Sequence, residues 1–221
     1  MQVFKFGGAS VRDARGVKNL ANVLKTVGHD HTLVVVSAMG KTTNAMELVV
    51  KNYFDNKAEL QSSLHEIIKF HNEILLELFD NETHKVFAAV KANFDEVALF
   101  FKTNKSPDYN YVYDQTIGYG ELISTTIISY YLNEIGIKNQ WLDVREFIKT
   151  DNYYRRAAVD WEQTQESITK SLDSSQLNIT QGFLGSDSNN FTTTLGREGS
   201  DYTAAIFAYC LNAKSVTIWK D

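Results

Sequence analysis

A chain of 221 residues, 43% hydrophobic and 22% charged, has the composition of a soluble globular protein with enough apolar residues for one sizeable core. Its formal net charge of −5 argues against a nucleic-acid partner, which calls for a basic face, but leaves anionic small molecules open because a few cations in one cleft set the local potential. The lone Cys210 allows no internal disulfide framework and fits a reducing cytoplasm; with no secretory leader visible and no run near the roughly 18 apolar residues of a membrane span, no membrane partner is expected.

Val3 to Phe6 reads as a short apolar strand that ends in Gly7-Gly8. Val11, Val17, Leu20, Val23, Leu24 and Val27 then recur at helical spacing, and Leu33 to Val36 is a β-branched run of the kind buried on both faces of a parallel sheet. Strand, glycine turn, helix, strand is a βαβ start, so the predicted class is α/β. From about Thr43 to Lys102 glycine and proline are almost absent. Leu60, Leu64, Ile67, Ile68, Ile74, Leu75 and Leu78 mark one helix there, and Val86, Val90, Phe94, Val97 and Phe101 another, which predicts a helical subdomain over about 43–104. A polar break surrounds Pro107. Glu121 to Ile135 is a long apolar helix with Gly136 as its C-cap. Further strands are expected at Asn139 to Val144 and Gln176 to Phe183, helices at Trp161 to Leu172 and Asp201 to Leu211, and a buried last strand at Ser215 to Trp219. The chain stops at Asp221, two residues past that strand, which reads as a truncated catalytic domain spanning 1–221.

Four segments carry chemistry. Lys5-Phe6-Gly7-Gly8-Ala9-Ser10 puts a cation at a strand end and then two residues without side chains, which lets phosphate oxygens approach backbone N–H groups ahead of a helix N-terminus. By itself the hexapeptide also reads as a plain Gly-Gly turn beside an exposed lysine. Ser37-Ala38-Met39-Gly40-Lys41-Thr42-Thr43 is not a P-loop, because Val35 stands where that motif needs its first glycine. It remains a loop with hydroxyls and a cation at the C-terminal end of a strand, where open α/β sheets bind ligands, or a helix N-cap by Thr42 or Thr43. Gly118-Tyr119-Gly120-Glu121 places a carboxylate in a first helical turn, which the helix dipole favours with or without a ligand. Thr192 to Asp201 gathers Arg197, two glycines, Ser200 and Asp201 before a helix. That is poor core material, suited to a carboxylate or phosphate held by a guanidinium fork and helix-terminal N–H groups, although Asp201 also reads as a simple N-cap.

Taken together, KFGGAS (5–10), VVVSAMGKTTN (34–44), GYGELIST (118–125), QGF (181–183) and TTTLGREGSDYTAA (192–205) resemble the signatures of the aspartate kinase family, in order and at similar spacing. Two positions depart from the usual pattern: Ala9 stands where threonine is usual, and Glu198 where glycine is usual, adding a carboxylate beside the proposed anion site. The resemblance implies the amino-acid kinase fold, a mostly parallel central sheet sandwiched by helices, with substrates at the strand C-termini. It implies ATP and Mg²⁺ as cofactors and L-aspartate as the phosphoryl acceptor, in the first step of the pathway to lysine, threonine and methionine, by a cytoplasmic homo-oligomer. Lys5 would stabilise the transferring phosphoryl group and Asp201 would orient Lys5. Ser37, Thr43, Glu121, Phe183, Arg197 and Ser200 would form the aspartate pocket, with Glu121 on the substrate ammonium and Arg197 on a carboxylate. Lys5, Gly7, Gly8, Ser10, Lys220 and Asp221 would contact the nucleotide phosphates, and no side chain is assigned to metal. The adenine-side contacts and ACT-type regulatory domains would lie beyond Asp221. Competing readings are another acyl-phosphate-forming amino-acid kinase, for instance one acting on N-acetylglutamate, and a non-catalytic nucleotide-binding module on the same fold. A dehydrogenase is excluded because Gly7-Gly8 opens no G-x-G-x-x-G.

Overall fold

The computed structural model describes residues 1–220. The strand β1 (Gln2–Phe6) pairs in parallel with β2 (Thr32–Val36) on one side and with β7 (Val216–Trp219) on the other. β2 pairs in parallel with β4 (Asn178–Gln181), which pairs with β3 (Gln140–Leu142). Among the described residues this gives a five-stranded sheet in the order β3-β4-β2-β1-β7. All five residues of β2 are fully buried, as its β-branched run implied, because a central parallel strand is covered on both faces.

The two-residue period of a strand sorts side chains onto opposite faces. Phe4, Phe6, Val34, Val36 and Ile179 join one core with α1 (Ala14–Val27), α2 (Thr42–Asp55), α3 (Lys57–Leu78), α4 (Lys85–Thr103), α5 (Tyr109–Ile117) and α6 (Tyr119–Glu134). Val3, Leu33 and Val35 join the other, with α7 (Trp161–Ser171) and α8 (Gly199–Cys210). Burying each large aliphatic or aromatic side chain of these cores contributes about 1.5–3 kcal/mol. Lys5 shares the parity of Val3, so it faces α8, and that alternation delivers its ammonium to the first turn of α8.

Several elements differ from the sequence-based expectation. The helix expected from Val11 begins at Ala14, where Asp13 caps it by accepting from the Gly16 N–H at 2.8 Å. α2 is a separate helix, and neither Thr42 nor Thr43 caps it: Lys41 holds the cap position, and the Thr42 hydroxyl donates to the Met39 carbonyl at 2.7 Å. α5 and the antiparallel pair β5 (Leu184–Ser186) and β6 (Thr192–Thr194) were not anticipated. The strand expected over 139–144 keeps only three paired residues, since β3 borders β4 alone. β7 is not a buried strand: among the described residues it pairs with β1 on one side only, and Val216 and Ile218 are each 44% exposed.

Candidate active site

The loops that follow β1 and β2 meet over the C-terminal edge of the sheet. Ser37 N–H donates to the Phe6 carbonyl at 3.1 Å, and Gly40 N–H to the Gly8 carbonyl at 2.9 Å. A Cβ on Gly8 would stand 2.6 Å from the Ala38 carbonyl oxygen, so this crossing requires glycine. The floor they form opens into a cavity of about 570 Å³ lined by Lys5, Gly8, Ser37, Thr43, Glu121, Phe183, Arg197, Ser200, Asp201 and Lys220. The predicted phosphoryl and aspartate groups are thus brought into one place from six separate segments. Gly7 and Ser10 are not on its wall. Gly7 N–H donates to the Trp219 carbonyl at 3.3 Å, and the Ser10 hydroxyl donates to the same carbonyl at 3.2 Å, where Ser10 lines a separate cavity of about 360 Å³. Their hydrogen bonds tie the β1–α1 turn to β7. Asp221 lies outside the described residues.

Lys5 is buried, 6% exposed, which removes the exposed-lysine alternative. Its Nζ is 2.7 Å from Asp201 Oδ1, while Lys220 Nζ is 3.0 Å from Asp201 Oδ2. Burial raises the Asp201 pKa, but the two ammonium groups outweigh it and hold the carboxylate below its ordinary range. Asp201 is not an N-cap. Glu198 occupies that position of α8 without a side-chain cap bond, and Asp201 stands one turn inside, free to bridge the two lysines. Glu198 sits at φ 58°, in the left-handed region that favours glycine. It lines the cavity, and its charge adds to the larger effect of Asp201 in raising the Lys220 pKa.

Glu121 is the opposite pole. Its residue is 3% exposed, and burial pushes its carboxyl up to about 8, against the N–H of Ala38 that favours the ionised form. Among the described residues Oε2 is buried without a hydrogen-bond partner, and the side chain lines the cavity. A buried carboxyl with an unsatisfied oxygen is costly unless a cation meets it. Phe183, at φ 75°, is a bulky residue in the left-handed region. The conformation is held because its N–H donates to the Thr203 hydroxyl at 2.9 Å and its carbonyl accepts from Leu195 N–H at 2.9 Å. Strain of that kind gathers at ligand sites.

Two lining side chains escaped the sequence reading, Tyr113 and Arg155. Arg155 stands 4.5 Å over the Tyr113 ring and comes from the irregular loop 152–158. Its only local signal was an Arg-Arg pair. Among the described residues no group of three or more His, Cys, Asp or Glu is placed to hold a metal ion, so a divalent cation here would depend on ligand oxygens from a phosphate for most of its shell.

A parallel α/β sheet with a charged cavity over its C-terminal edge is the architecture of small-molecule- and nucleotide-handling α/β proteins. Within that class the chain belongs to the amino acid kinase family, whose model matches residues 1–221. It is 33% identical over 233 residues to lysine-sensitive aspartokinase 3 of Escherichia coli (strain K12), covering 99% of this chain and 48% of that protein. It is 30% identical over 230 residues to the chloroplastic bifunctional aspartokinase/homoserine dehydrogenase 2 of Arabidopsis thaliana, covering 99% of this chain and 25% of that protein. The solved structure of E. coli aspartokinase III with aspartate and ADP (R-state) superposes with a TM-score of 0.90 at 30% identity, and that with lysine and aspartate (T-state) with 0.92 at 31%. Both cover 100% of this chain and 49% of the other, so the chain spans about half the length of these bacterial relatives.

Proposed function

We propose that the protein is an aspartate kinase, transferring the γ-phosphoryl group of ATP to the side-chain carboxylate of L-aspartate. The observation that carries this reading is one cavity holding the Lys5–Asp201–Lys220 set and the Glu121 carboxyl with its unpartnered Oε2. It is supported by the relatives named aspartokinase and by the neighbour solved with aspartate and ADP.

The acceptor carboxylate, with a reference pKa near about 3.9, is ionised at neutral pH and needs no general base. Its oxygen attacks the γ-phosphorus in line, the bond to the β-phosphate oxygen breaks, and ADP leaves with no proton transferred. The difficulty is bringing a carboxylate against a polyanion, so catalysis is positioning and electrostatic stabilisation. Asp201 fixes the Lys5 ammonium, which stabilises charge on the transferring group, and Lys220 adds a second cation. Glu121 takes the substrate ammonium, and Arg197 the α-carboxylate. Mg²⁺ held by the nucleotide phosphates would neutralise further charge. In the cell we place the reaction at the head of the route to lysine, threonine and methionine, in a cytoplasmic homo-oligomer.

Trapping with hydroxylamine tests the substrate. L-aspartate, ATP and Mg²⁺ should yield the hydroxamate of an acyl phosphate. Comparable turnover of N-acetylglutamate with none of aspartate would overturn the assignment, because an acetylated amine leaves Glu121 unpaired.

A further inference from the structure

The loop that carries Arg155 is built with more care than a surface connection needs. Arg155 has φ 72°, in the left-handed region that a side chain rarely adopts. What holds it there is Asp114, a wholly buried carboxyl on α5. Asp114 Oδ2 accepts from the Arg155 N–H and the Thr194 N–H, each at 2.9 Å, and Oδ1 accepts from the Thr194 hydroxyl at 2.9 Å. One carboxylate therefore pins the loop, α5 and β6 together. The guanidinium lies 4.5 Å over the Tyr113 ring and 5.9 Å from that of Tyr109. Among the described residues it has no ion pair, and neither has Arg197. Stacking on tyrosine leaves the in-plane N–H fork open. Arg155 lines both the site cavity and a neighbouring one of about 560 Å³ bordered by Asp108.

The charges of the site then form a pattern. Lys5 and Lys220 are engaged with Asp201. Among the described residues, two carboxyls, Glu121 and Glu198, and two guanidiniums, Arg197 and Arg155, remain on the wall without an ion-pair partner. Of these, Glu121 has its Oε2 buried and unpartnered and suits an ammonium, while the two guanidiniums suit a carboxylate. Because the reacting carboxylate belongs at the Lys5 end, the wall formed by Tyr113 of α5 and Arg155 is left for the other one.

We propose that Arg155 is a second binding residue for the α-carboxylate of the amino-acid substrate, and that Asp114 is its positioning residue. This rests on the aspartate reading above. Bidentate contact from a stacked guanidinium would fix the backbone end of the substrate and favour a free α-carboxylate over an amide.

Arg155→Gly is the informative variant, because glycine adopts φ 72° without strain and the fold is retained. Calorimetric titration would compare L-aspartate with its α-carboxamide and with L-asparagine, in the unaltered protein and in the variant. The expected result is a loss of about ten- to hundredfold in L-aspartate affinity on Arg155→Gly. The α-carboxamide should bind both proteins equally within about twofold, and the melting temperature should stay unchanged or rise. Equal losses for L-aspartate and the α-carboxamide, a loss that vanishes only with L-asparagine, or no loss at all would each overturn the proposal. If the unaltered protein does not bind L-aspartate, the aspartate reading itself fails. If it binds and the variant binds as well, only the role of Arg155 fails. Asp114→Asn should weaken L-aspartate binding in the unaltered background and add nothing to Arg155→Gly. Additive losses would assign Asp114 a role independent of Arg155.

Discussion

L-Aspartate binding should release a proton from Glu121. The buried carboxyl is held up to about 8 by burial, so at pH 7 about 0.9 of the molecules carry the proton. An ammonium against the unpartnered Oε2 needs the ionised form, and binding at pH 7 therefore expels about 0.9 proton. Ionising the group first costs about 1.4 kcal/mol at pH 7, so affinity should rise about tenfold from pH 6 to 7 and about fivefold from 7 to 8, then level off. The ligand-free protein shows the reverse linkage. The folded pKa lies above the ordinary value of 4.5, so the stabilisation associated with the neutral carboxyl is complete below about 4.5 and is lost as pH rises through about 8. The assay is calorimetric titration with L-aspartate in phosphate and in Tris, whose ionisation enthalpies differ. In Glu121→Gln the buffer dependence should disappear and the affinity fall. An enthalpy independent of buffer at pH 7 in the unaltered protein, or the same proton release from Glu121→Gln, would refute the argument.

Lys5→Ala should lower kcat by about 10²-fold or more while leaving the Kd for L-aspartate nearly unchanged, measured by coupled ADP release and by calorimetry. His71 lies buried on α3 with Nε2 unpartnered and its pKa lowered to about 4 by burial, despite its bond to the Ile67 carbonyl. Its folded pKa lies below the ordinary 6.5, so it contributes stability above pH 6.5 that is lost as pH falls through about 4, at most about 3 kcal/mol; urea midpoints of His71→Leu should lack that component. Gly182→Ala places a Cβ 2.4 Å from the Ser200 Cβ and 2.7 Å from its Cα, so it should cost about 1–3 kcal/mol in urea denaturation and weaken L-aspartate binding through the shift of Ser200.

What the sequence reveals, and what it hides, follows from the range of the forces involved. β1, β2 and the helices α3 and α4 are legible because burial imprints a period of two or 3.6 on neighbouring residues. α5 is nine residues long and runs into α6 through Gly118 at φ −67°, so no turn signal separates them. Gly118 is glycine for another reason: a Cβ there would meet the Leu184 side chain at 2.6 Å. β6 is three buried threonines, a polar run made inner by distant partners, with Thr193 bonded to Thr150 at 2.7 Å and Thr194 to Asp114. The glycines, charges and hydroxyls of the site stand out because they make poor core. Arg155 does not, since its placement depends on Asp114, 41 positions away.

The central claim is that a carboxylate oxygen of L-aspartate attacks the γ-phosphorus of ATP. Its most direct test uses L-aspartate carrying ¹⁸O at both side-chain carboxylate oxygens, with ATP, Mg²⁺ and hydroxylamine. Hydroxylamine cleaves the acyl phosphate at carbon, so the liberated phosphate should retain one ¹⁸O, read as an upfield isotope shift in the ³¹P spectrum. Phosphate released with no ¹⁸O would mean that water, and not the substrate carboxylate, receives the phosphoryl group, and would contradict the account.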